Sequence, residues 1–268
     1  MESIFYFHPN ASVRIYSNVL ATEDFEAFLK VGLNLSVIPI DVATLSRSTA
    51  LSGITHQARY ADWEAGEFWY SHFSDMMRLL ILHYYGGIYL DTDVLVTRSF
   101  DDLDNAIGYQ DDNDLNGAVL VFKNPHNEYI KSCIEEFNNT YVKWPWETNG
   151  PKLLSRVYFR SWSDRPGIVK SMPSAAFQFM DWTRMWLCFA NTSELDKFAM
   201  AARLNTARPY AVHWNNHVNR DAEVVSGSVC EYLFTKFCVA TCDSQPLPPA
   251  SYPAYTVNGI EISVTVDL

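Results

Sequence analysis

The sequence predicts an α/β fold in which helices cover a layered β-sheet. Two observations carry this prediction. Short apolar strands alternate with amphipathic helical segments through about residue 160, a pattern typical of such layers. The chain has 268 residues, of which 48% are hydrophobic and 15% aromatic, so it can bury a sizeable core.

The first elements follow from local periodicity. Residues 12–16 and 35–40 are predicted as strands, with an amphipathic helix at residues 22–31 between them. Residues 45–65 are polar with little periodicity, so we predict a loop that lies over the functional site. Farther along the chain, strands are predicted at residues 106–109 and 118–122, and helices at residues 126–137 and 152–159.

The most informative stretch is residues 71–93, which combines a helix, a Gly-Gly break and a strand that ends in Asp-Thr-Asp. An apolar stripe that includes Met77 and Ile81 predicts that one face of the helix packs against a core. Asp75 and Arg78 are three residues apart and are therefore neighbours on a different face. This spacing fits a solvent-exposed ion pair as well as a functional pair, and both interpretations stay open.

Two carboxylates, Asp91 and Asp93, follow the apolar strand residues Ile88, Tyr89 and Leu90. Because side chains alternate along an extended strand, both carboxylates face one side if the backbone stays extended. Such a pair is costly to bury without a cation, and its oxygens suit Mg²⁺ or Mn²⁺ bound to a diphosphate. The sequence therefore predicts a divalent metal site at the end of this strand.

A third metal ligand is expected from a distant part of the chain. His213 follows the short apolar strand Ala211-Val212 and is the candidate, although an isolated histidine is more often structural. His217 competes with it, but it falls where the strand should already have ended.

Charge and cysteine usage exclude some functions. The formal net charge of −11 is unfavourable for tracking a phosphate backbone, so we expect no nucleic-acid partner. No membrane segment or signal sequence is predicted. The five cysteines lack the partners of a zinc site around Cys238 and Cys242, so we expect buried or unpaired thiols. Asn-x-Ser/Thr sequons begin at Asn10, Asn34, Asn138 and Asn191; they are compatible with a protein of the secretory pathway, but motifs this short often arise by chance.

The last segment, after about Cys242, differs in composition. Prolines between residues 246 and 253 mark a linker, and residues 255–266 predict a hairpin around Asn258-Gly259. We therefore divide the chain into a catalytic domain at residues 1–242 and a Pro-rich tail with a hairpin at residues 243–268.

Five blocks of sequence occur in the order found in one enzyme family. The blocks are Ser74-Asp75-x-x-Arg78, Gly86-Gly87-Ile88-Tyr89-Leu90-Asp91-Thr92-Asp93, Leu115-Asn116-Gly117-Ala118, Asn149-Gly150-Pro151-Lys152-Leu153-Leu154-Ser155-Arg156-Val157 and Tyr210-Ala211-Val212-His213-Trp214. Together they resemble the α-1,4-glycosyltransferases over most of residues 1–242. The segment from Asp75 to Asp93 is shared more widely, whereas the last two blocks narrow the resemblance to this family.

The resemblance implies a GT-A fold, with a central mixed sheet flanked by helices, and a retaining, metal-dependent hexosyltransferase. The donor would be a nucleotide-diphosphate sugar, with UDP as the nucleotide, and the acceptor would be a hydroxyl of a glycan or glycolipid. The cofactor would be Mn²⁺, with Mg²⁺ as the alternative, and the location would be the Golgi lumen.

The same resemblance assigns residues by motif. Asp91 and Asp93 would be the catalytic residues and, with His213, the metal ligands. No carboxylate nucleophile is identified apart from the weak candidate Glu147, so retention implies front-face attack on the sugar. The residues expected to bind the donor are Asp75, Arg78, Tyr89, Asn116, Gly117, Asn149 and Gly150.

Two departures from the family pattern are expected. Family members carry a membrane anchor and a first strand that contributes to the uracil pocket, whereas Met1-Glu2-Ser3 aligns with the helix after that strand. The fold is therefore predicted to lack its first strand, as in an N-terminally truncated chain. The tail after residue 242 has no counterpart in the family pattern.

Two alternative functions are also compatible with parts of the sequence. The Asp91-Thr92-Asp93 run also resembles the nucleophile motif of haloacid-dehalogenase-type phosphatases, although that motif usually lies near the N-terminus. A catalytically inactive remnant that still binds a sugar nucleotide is the other alternative, because the first strand is predicted to be missing.

Overall fold

The computed structural model describes residues 1–165, 168–242 and 263–267. The helices within these residues are α1 (Glu2–Phe7), α2 (Glu26–Lys30), α3 (Val42–Ser46), α4 (Ala58–Glu64), α5 (Trp69–Tyr85), α6 (Glu128–Thr140), α7 (Pro151–Ser161), α8 (Trp186–Phe189), α9 (Glu194–Ala207), α10 (Asn216–Asn219) and α11 (Val229–Lys236). The strands are β1 (Ser12–Tyr16), β2 (Asn34–Ile38), β3 (Gly87–Asp91), β4 (Val94–Val96), β5 (Ala106–Tyr109), β6 (Leu115–Phe122), β7 (Lys170–Met172), β8 (Ala211–His213) and β9 (Ser263–Asp267).

The central sheet of the described chain has seven strands in the order β2-β1-β9-β3-β6-β5-β7. β1 is parallel to β2, and β5 is parallel to β7. β9 is antiparallel to both of its neighbours, and β6 is antiparallel to β3 and β5. The predicted α/β fold, with a central mixed sheet flanked by helices, is confirmed.

Both faces of the sheet are buried under helices. Tyr89 and Leu120 face a cluster that includes residues of α5, α6 and α7. Ile88 and Val119 face the opposite cluster, to which α1 and α2 contribute. Because alternate residues of a strand enter opposite layers, strands buried on both faces read as continuous apolar runs. A third cluster packs α8, α9 and α11 around β8.

The helix α5 is buried around most of its circumference. Met77 and Ile81 lie in the core as predicted, but Asp75 and Arg78 are also buried, with only 7% and 6% of their surfaces exposed. The interpretation of this pair as a solvent-exposed ion pair is therefore wrong. The helix ends at Gly86, where φ is +71° and a side chain would collide with the backbone at Lys123, so glycine is required there.

The predicted loop at residues 45–65 is wrong. This segment contains the end of α3, a 3₁₀ turn at Ile54–His56 and α4. Leu51, Ile54 and Trp63 are buried in the same cluster as α5. Elements of one or two turns are too short to show a helical period, so their packing was not visible in the sequence pattern.

Two other predicted elements are divided. The helix predicted at residues 22–31 is a 3₁₀ turn at Thr22–Phe25 followed by α2. The apolar run through the acidic pair is also broken, because β3 ends at Asp91 and residues 92–93 form a turn into β4. The backbone is therefore not extended through Asp93, so the condition under which both carboxylates would face one side of a strand is not met. β4 pairs with β8 in a separate two-stranded sheet.

The described end of the tail contributes a strand to the central sheet. β9 lies between β1 and β3, and Ser263 is the register partner of Asp91. The predicted proline linker and the Asn258-Gly259 turn lie outside the described residues. The hairpin and the domain boundary at residue 242 therefore stay predictions.

A disulfide joins Cys238 and Cys242, so the expectation of unpaired thiols is wrong for this pair. The other cysteines, Cys133, Cys188 and Cys230, are free and buried as expected. Among the described residues, no helix combines the length and the apolar character needed to cross a membrane.

Candidate active site

The turn after β3 brings two acids and a distant histidine together. β4 pairs antiparallel with β8, and Val94 is the register partner of His213. The backbone N–H of Trp214 donates to the carbonyl of Asp93 at 2.9 Å, which extends this pairing. As a result, one ligand atom from each of Asp91, Asp93 and His213 lies within 4.8 Å of the other two. The side chain of the competing His217 is outside the part of the chain that the structure describes.

The carboxylate of Asp93 contacts the His213 imidazole and a backbone N–H group. Its Oδ1 is 3.2 Å from His213 Nε2, and its Oδ2 accepts the backbone N–H of Asn216 at 2.8 Å. Burial would raise the pKa of Asp93, but His213 and the Asn216 N–H hold that pKa below its usual range. Burial would likewise lower the pKa of His213, but Asp93 raises that pKa above its usual value. The carboxylate of Asp93 is therefore ionised at neutral pH.

Arg78 links the buried carboxylate of Asp75 on α5 to the half-buried carboxylate of Asp91 at the end of β3. Its Nη2 lies 3.4 Å from Asp75 Oδ1 and 3.4 Å from Asp91 Oδ1. The guanidinium also donates to Ser74 Oγ at 3.0 Å and lies 4.8 Å from the centroid of the Tyr89 ring. The hydroxyl of Tyr89 donates to Asp91 Oδ1 at 2.6 Å. These contacts hold a positive charge and a hydroxyl beside Asp91.

Two glycines allow this network to form. A Cβ at Gly117 would stand 2.6 Å from Arg78 Nη1, and a Cβ at Gly150 would overlap the carboxylate of Asp75. Burial raises the pKa of Asp75 to about 6, an effect that Arg78 opposes and Asp91 reinforces. Close packing of backbone against these charged groups excludes water from the helix side of the site.

The two predicted asparagines bind neighbouring protein groups. Asn116 accepts the Ala118 N–H at 2.7 Å and donates to Gln110 Oε1 at 3.0 Å. Asn149 is fully buried, donates to the Val142 carbonyl at 2.6 Å and accepts its N–H at 3.2 Å. Both residues thus shape segments next to the Arg78 network, and their contact with a donor stays a prediction.

Glu147, the weak nucleophile candidate, forms an ion pair with Lys152 at 2.7 Å. This pairing occurs at the start of α7, next to the Asn149 block. A role for Glu147 as nucleophile stays a prediction.

Two residues that contact His213 were not predicted from the sequence. Gln178 Nε2 lies 3.0 Å from His213 Nδ1, and Asn215 Nδ2 donates to the His213 carbonyl at 3.1 Å. Asn215 follows His213 closely in the chain, so its proximity could have been inferred. Gln178 lies in a segment without periodicity, and no local signal pointed to it.

The chemistry of Asp91, Asp93 and His213 fits a divalent cation. Two carboxylates and an imidazole supply oxygen and nitrogen ligands, a set that suits Mn²⁺. Their ligand atoms converge within 4.8 Å, and Asp93 is ionised in this setting. Among the described residues, this is the group of acidic and histidine side chains arranged to hold a metal ion.

Comparison with known proteins places these residues in a family. A profile described as a glycosyltransferase sugar-binding region containing a DXD motif matches residues 1–113, which include Asp91 and Asp93. A second profile, described as an alpha 1,4-glycosyltransferase conserved region, matches residues 122–245. Lactosylceramide 4-alpha-galactosyltransferase of Mus musculus is 30% identical over 258 residues, covering 90% of this chain and 69% of the mouse protein. The chain belongs to the α-1,4-glycosyltransferase family.

Other members of the family differ in the sugar that their names specify. Alpha-1,4-N-acetylglucosaminyltransferase of Homo sapiens is 26% identical over 230 residues, covering 80% of this chain and 63% of that protein. Among solved structures, PaToxG glycosyltransferase has a TM-score of 0.41 and 20% identity, covering 62% of each chain. The predicted family and the predicted enzyme class, hexosyltransferase, are confirmed.

Proposed function

We propose that this chain is a retaining, divalent-metal-dependent glycosyltransferase. It moves a hexose or N-acetylhexosamine from a UDP-sugar to a hydroxyl of a glycan or glycolipid and forms an α-glycosidic bond. The observation that carries the proposal is the convergence of Asp91, Asp93 and His213 within 4.8 Å, beside the buried cation of Arg78.

Asp91, Asp93 and His213 would hold Mn²⁺, with Mg²⁺ as the alternative. When bound, the cation supplies positive charge that offsets the negative charge of the donor's diphosphate. Two carboxylates and one imidazole leave coordination positions for phosphate oxygens, which is the usual arrangement for a metal that binds a nucleotide.

The residues on the α5 side would bind the rest of the donor. Arg78 is fixed by Asp75, Asp91 and Ser74, so its charge can stabilise the departing diphosphate without a costly rearrangement. Tyr89 donates to Oδ1 of Asp91, and the metal would bind the other oxygen of this carboxylate. The donor-binding roles of Asn116, Gly117, Asn149 and Gly150 belong to the same proposal, because their segments pack against this network.

In the proposed mechanism, the anomeric configuration is retained because the acceptor hydroxyl attacks the front face of the sugar. Glu147 is paired with Lys152, and Asp75 is packed against Gly150 and Arg78, so the proposal assigns neither of them the attack on the sugar. The leaving phosphate would then accept the proton of the attacking hydroxyl while Arg78 holds its charge.

The substrates are narrowed by the relatives' names. Galactose transfer to lactosylceramide and N-acetylglucosamine transfer are the two reactions to try first, with the Golgi lumen as the proposed location. A single pocket contact is worth only a few kcal/mol, so the donor sugar has to be decided by experiment.

The first test is calorimetric titration of UDP into the purified chain, with Mn²⁺ and with EDTA. We expect binding that requires Mn²⁺ and is lost in Asp93→Asn, because the substitution removes one of the two negative charges that would bind the cation. Asp112→Asn is the matched control, since Asp112 is an exposed carboxylate in a surface turn and its charge change is the same.

The second test is transfer from UDP-galactose and UDP-N-acetylglucosamine to lactose-terminated acceptors, with the anomer of the product assigned by NMR. An α-linked product whose formation falls at least about 100-fold in Asp93→Asn would support the proposal. A β-linked product would contradict retention. Metal-dependent UDP binding without transfer or donor hydrolysis would instead indicate an inactive sugar-nucleotide-binding protein.

A further inference from the structure

Gln178 is a buried amide that contacts the proposed metal ligand His213. A 3₁₀ turn at Ser174–Ala176 follows β7 and leads into this residue, whose backbone N–H donates to the Ser174 carbonyl at 2.6 Å. Only 7% of its surface is exposed. A buried polar side chain needs hydrogen-bond partners, so the contacts of Gln178 indicate which groups it positions.

The imidazole of His213 is held at both nitrogens. Its Nδ1 lies 3.0 Å from Gln178 Nε2, and its Nε2 lies 3.2 Å from Asp93 Oδ1. The other end of the Gln178 amide, Oε1, lies 3.5 Å from Asn215 Nδ2. The ring therefore cannot turn without losing a contact on one side.

In a neutral His213 imidazole, the orientation of the Gln178 amide decides which ring nitrogen carries the proton. When the Gln178 amide N–H donates to Nδ1, that nitrogen provides the lone pair, and the proton sits on Nε2 facing Asp93. A metal ligand needs the reverse, with a lone pair on the metal-facing nitrogen and a proton on the other. A half-turn of the Gln178 amide exchanges its N–H for its carbonyl oxygen, which can accept a proton carried by Nδ1.

We propose that Gln178 is a positioning residue for the metal site. Its amide holds the His213 ring by donating to Nδ1 when Nε2 faces Asp93. It then rotates to accept the Nδ1 proton when Nε2 binds a divalent cation. This inference rests on the proposed function, because it gives Gln178 a task that matters only if His213 ligates a metal.

The test compares two substitutions of similar size by Mn²⁺ binding, followed by the loss of the free Mn²⁺ signal in electron paramagnetic resonance. Gln178→Met removes both hydrogen-bonding ends and should weaken Mn²⁺ binding by about 10- to 100-fold. Gln178→Glu supplies a permanent acceptor for the Nδ1 proton and should keep Mn²⁺ affinity within a few fold of the wild type, or raise it. Near-ultraviolet circular dichroism and thermal unfolding show whether each variant is folded.

A second measurement stands even if Gln178→Met fails to fold. Nitrogen-15 NMR of the wild-type imidazoles, with and without UDP and diamagnetic Cd²⁺, reports which ring nitrogen carries the proton. We expect one histidine, identified by its absence in His213→Ala, to move its proton from Nε2 to Nδ1 when the cation binds. An unchanged proton position would overturn the proposal.

The outcomes separate this inference from the proposed function. Unchanged Mn²⁺ affinity in folded Gln178→Met, with binding lost in Asp93→Asn, would overturn the role of Gln178 and leave the metal site intact. An equal loss of Mn²⁺ affinity in Gln178→Met and Gln178→Glu would also overturn it. If Gln178 only filled space, a glutamate that accepts a hydrogen bond and a methionine that does not would have the same effect. Wild-type protein that binds no Mn²⁺ would overturn both proposals.

Discussion

At the scale of single residues, the site depends on charged groups packed against backbone. Arg78 reaches Asp75 and Asp91, and glycines stand where any side chain would displace these groups. Such packing holds the charges in place and removes their water, which strengthens each interaction but makes an unpaired charge costly. Two predictions follow at this scale.

The first prediction concerns the packing of Gly150 against Asp75. Gly150→Ala places a methyl group against the carboxylate of Asp75 and should lower the free energy of unfolding by about 1–3 kcal/mol, the usual cost of overpacking. Urea unfolding of the single and double variants checks this. In an Asp75→Ala background the same substitution should cost much less, because the colliding carboxylate is gone. Equal costs in the two backgrounds would show that the two groups do not touch.

The second prediction concerns how the stability of the protein depends on pH through Asp75. The pKa of Asp75 is raised from its ordinary 3.8 to about 6 in the folded protein. The folded state therefore holds more protons than the unfolded state between these values, so this residue's contribution to stability falls as pH rises through that window, by up to about 3 kcal/mol. Asp75→Asn lacks this contribution. Urea unfolding in EDTA from pH 4 to 7 should show the variant gaining stability relative to the wild type, and parallel profiles would refute the prediction.

At the scale of elements, the site is assembled where two sheets meet. β3 of the central sheet carries Asp91, while the β4–β8 pair carries His213 and follows directly from Asp93. The buried helix α5 brings Asp75 and Arg78 to the same point. β9 pairs with β3, the strand that carries Asp91, and Ser263 is the register partner of that residue.

This pairing predicts that β9 supports both the sheet and the site. Thr265 lies opposite Arg14 on one side and Tyr89 on the other, so Thr265→Pro removes an N–H from the interior of the sheet. The free energy of unfolding should fall by about 1–3 kcal/mol, with weaker Mn²⁺-dependent UDP binding. Thr265→Ala keeps the N–H and is the matched control. If both variants unfold at the same urea concentration, β9 does not pair as described.

At the scale of the whole molecule, the two ends of residues 1–242 are tied together. The carboxylate of Glu2 accepts backbone N–H groups of Val239 at 2.6 Å, Ala240 at 2.9 Å and Thr241 at 3.0 Å. These residues lie in the loop that the Cys238–Cys242 disulfide closes. The contact anchors α1, which packs on the sheet face opposite α5.

Loss of this contact should destabilise the protein. Glu2→Ala leaves three loop N–H groups without their acceptor and should lower the free energy of unfolding by about 1–3 kcal/mol. Glu23→Ala, at an exposed position, is the control. A reductant that opens the disulfide should lower the urea midpoint of the wild type more than that of Glu2→Ala, because the loop no longer holds α1 in the variant. Additive effects would indicate that the loop and Glu2 act independently.

The sequence by itself determined the α/β class, most strands and long helices, and the family. It also identified Asp91, Asp93 and His213 as candidate metal ligands. These rest on periodicity and on short motifs, which are local and survive in the linear chain. Only the tertiary structure decided that Asp75 and Arg78 are buried, that residues 45–65 pack into the core, and that Gln178 contacts His213. Burial and long-range contacts depend on what other elements bring to a position, and a pattern of neighbours along the chain does not encode them.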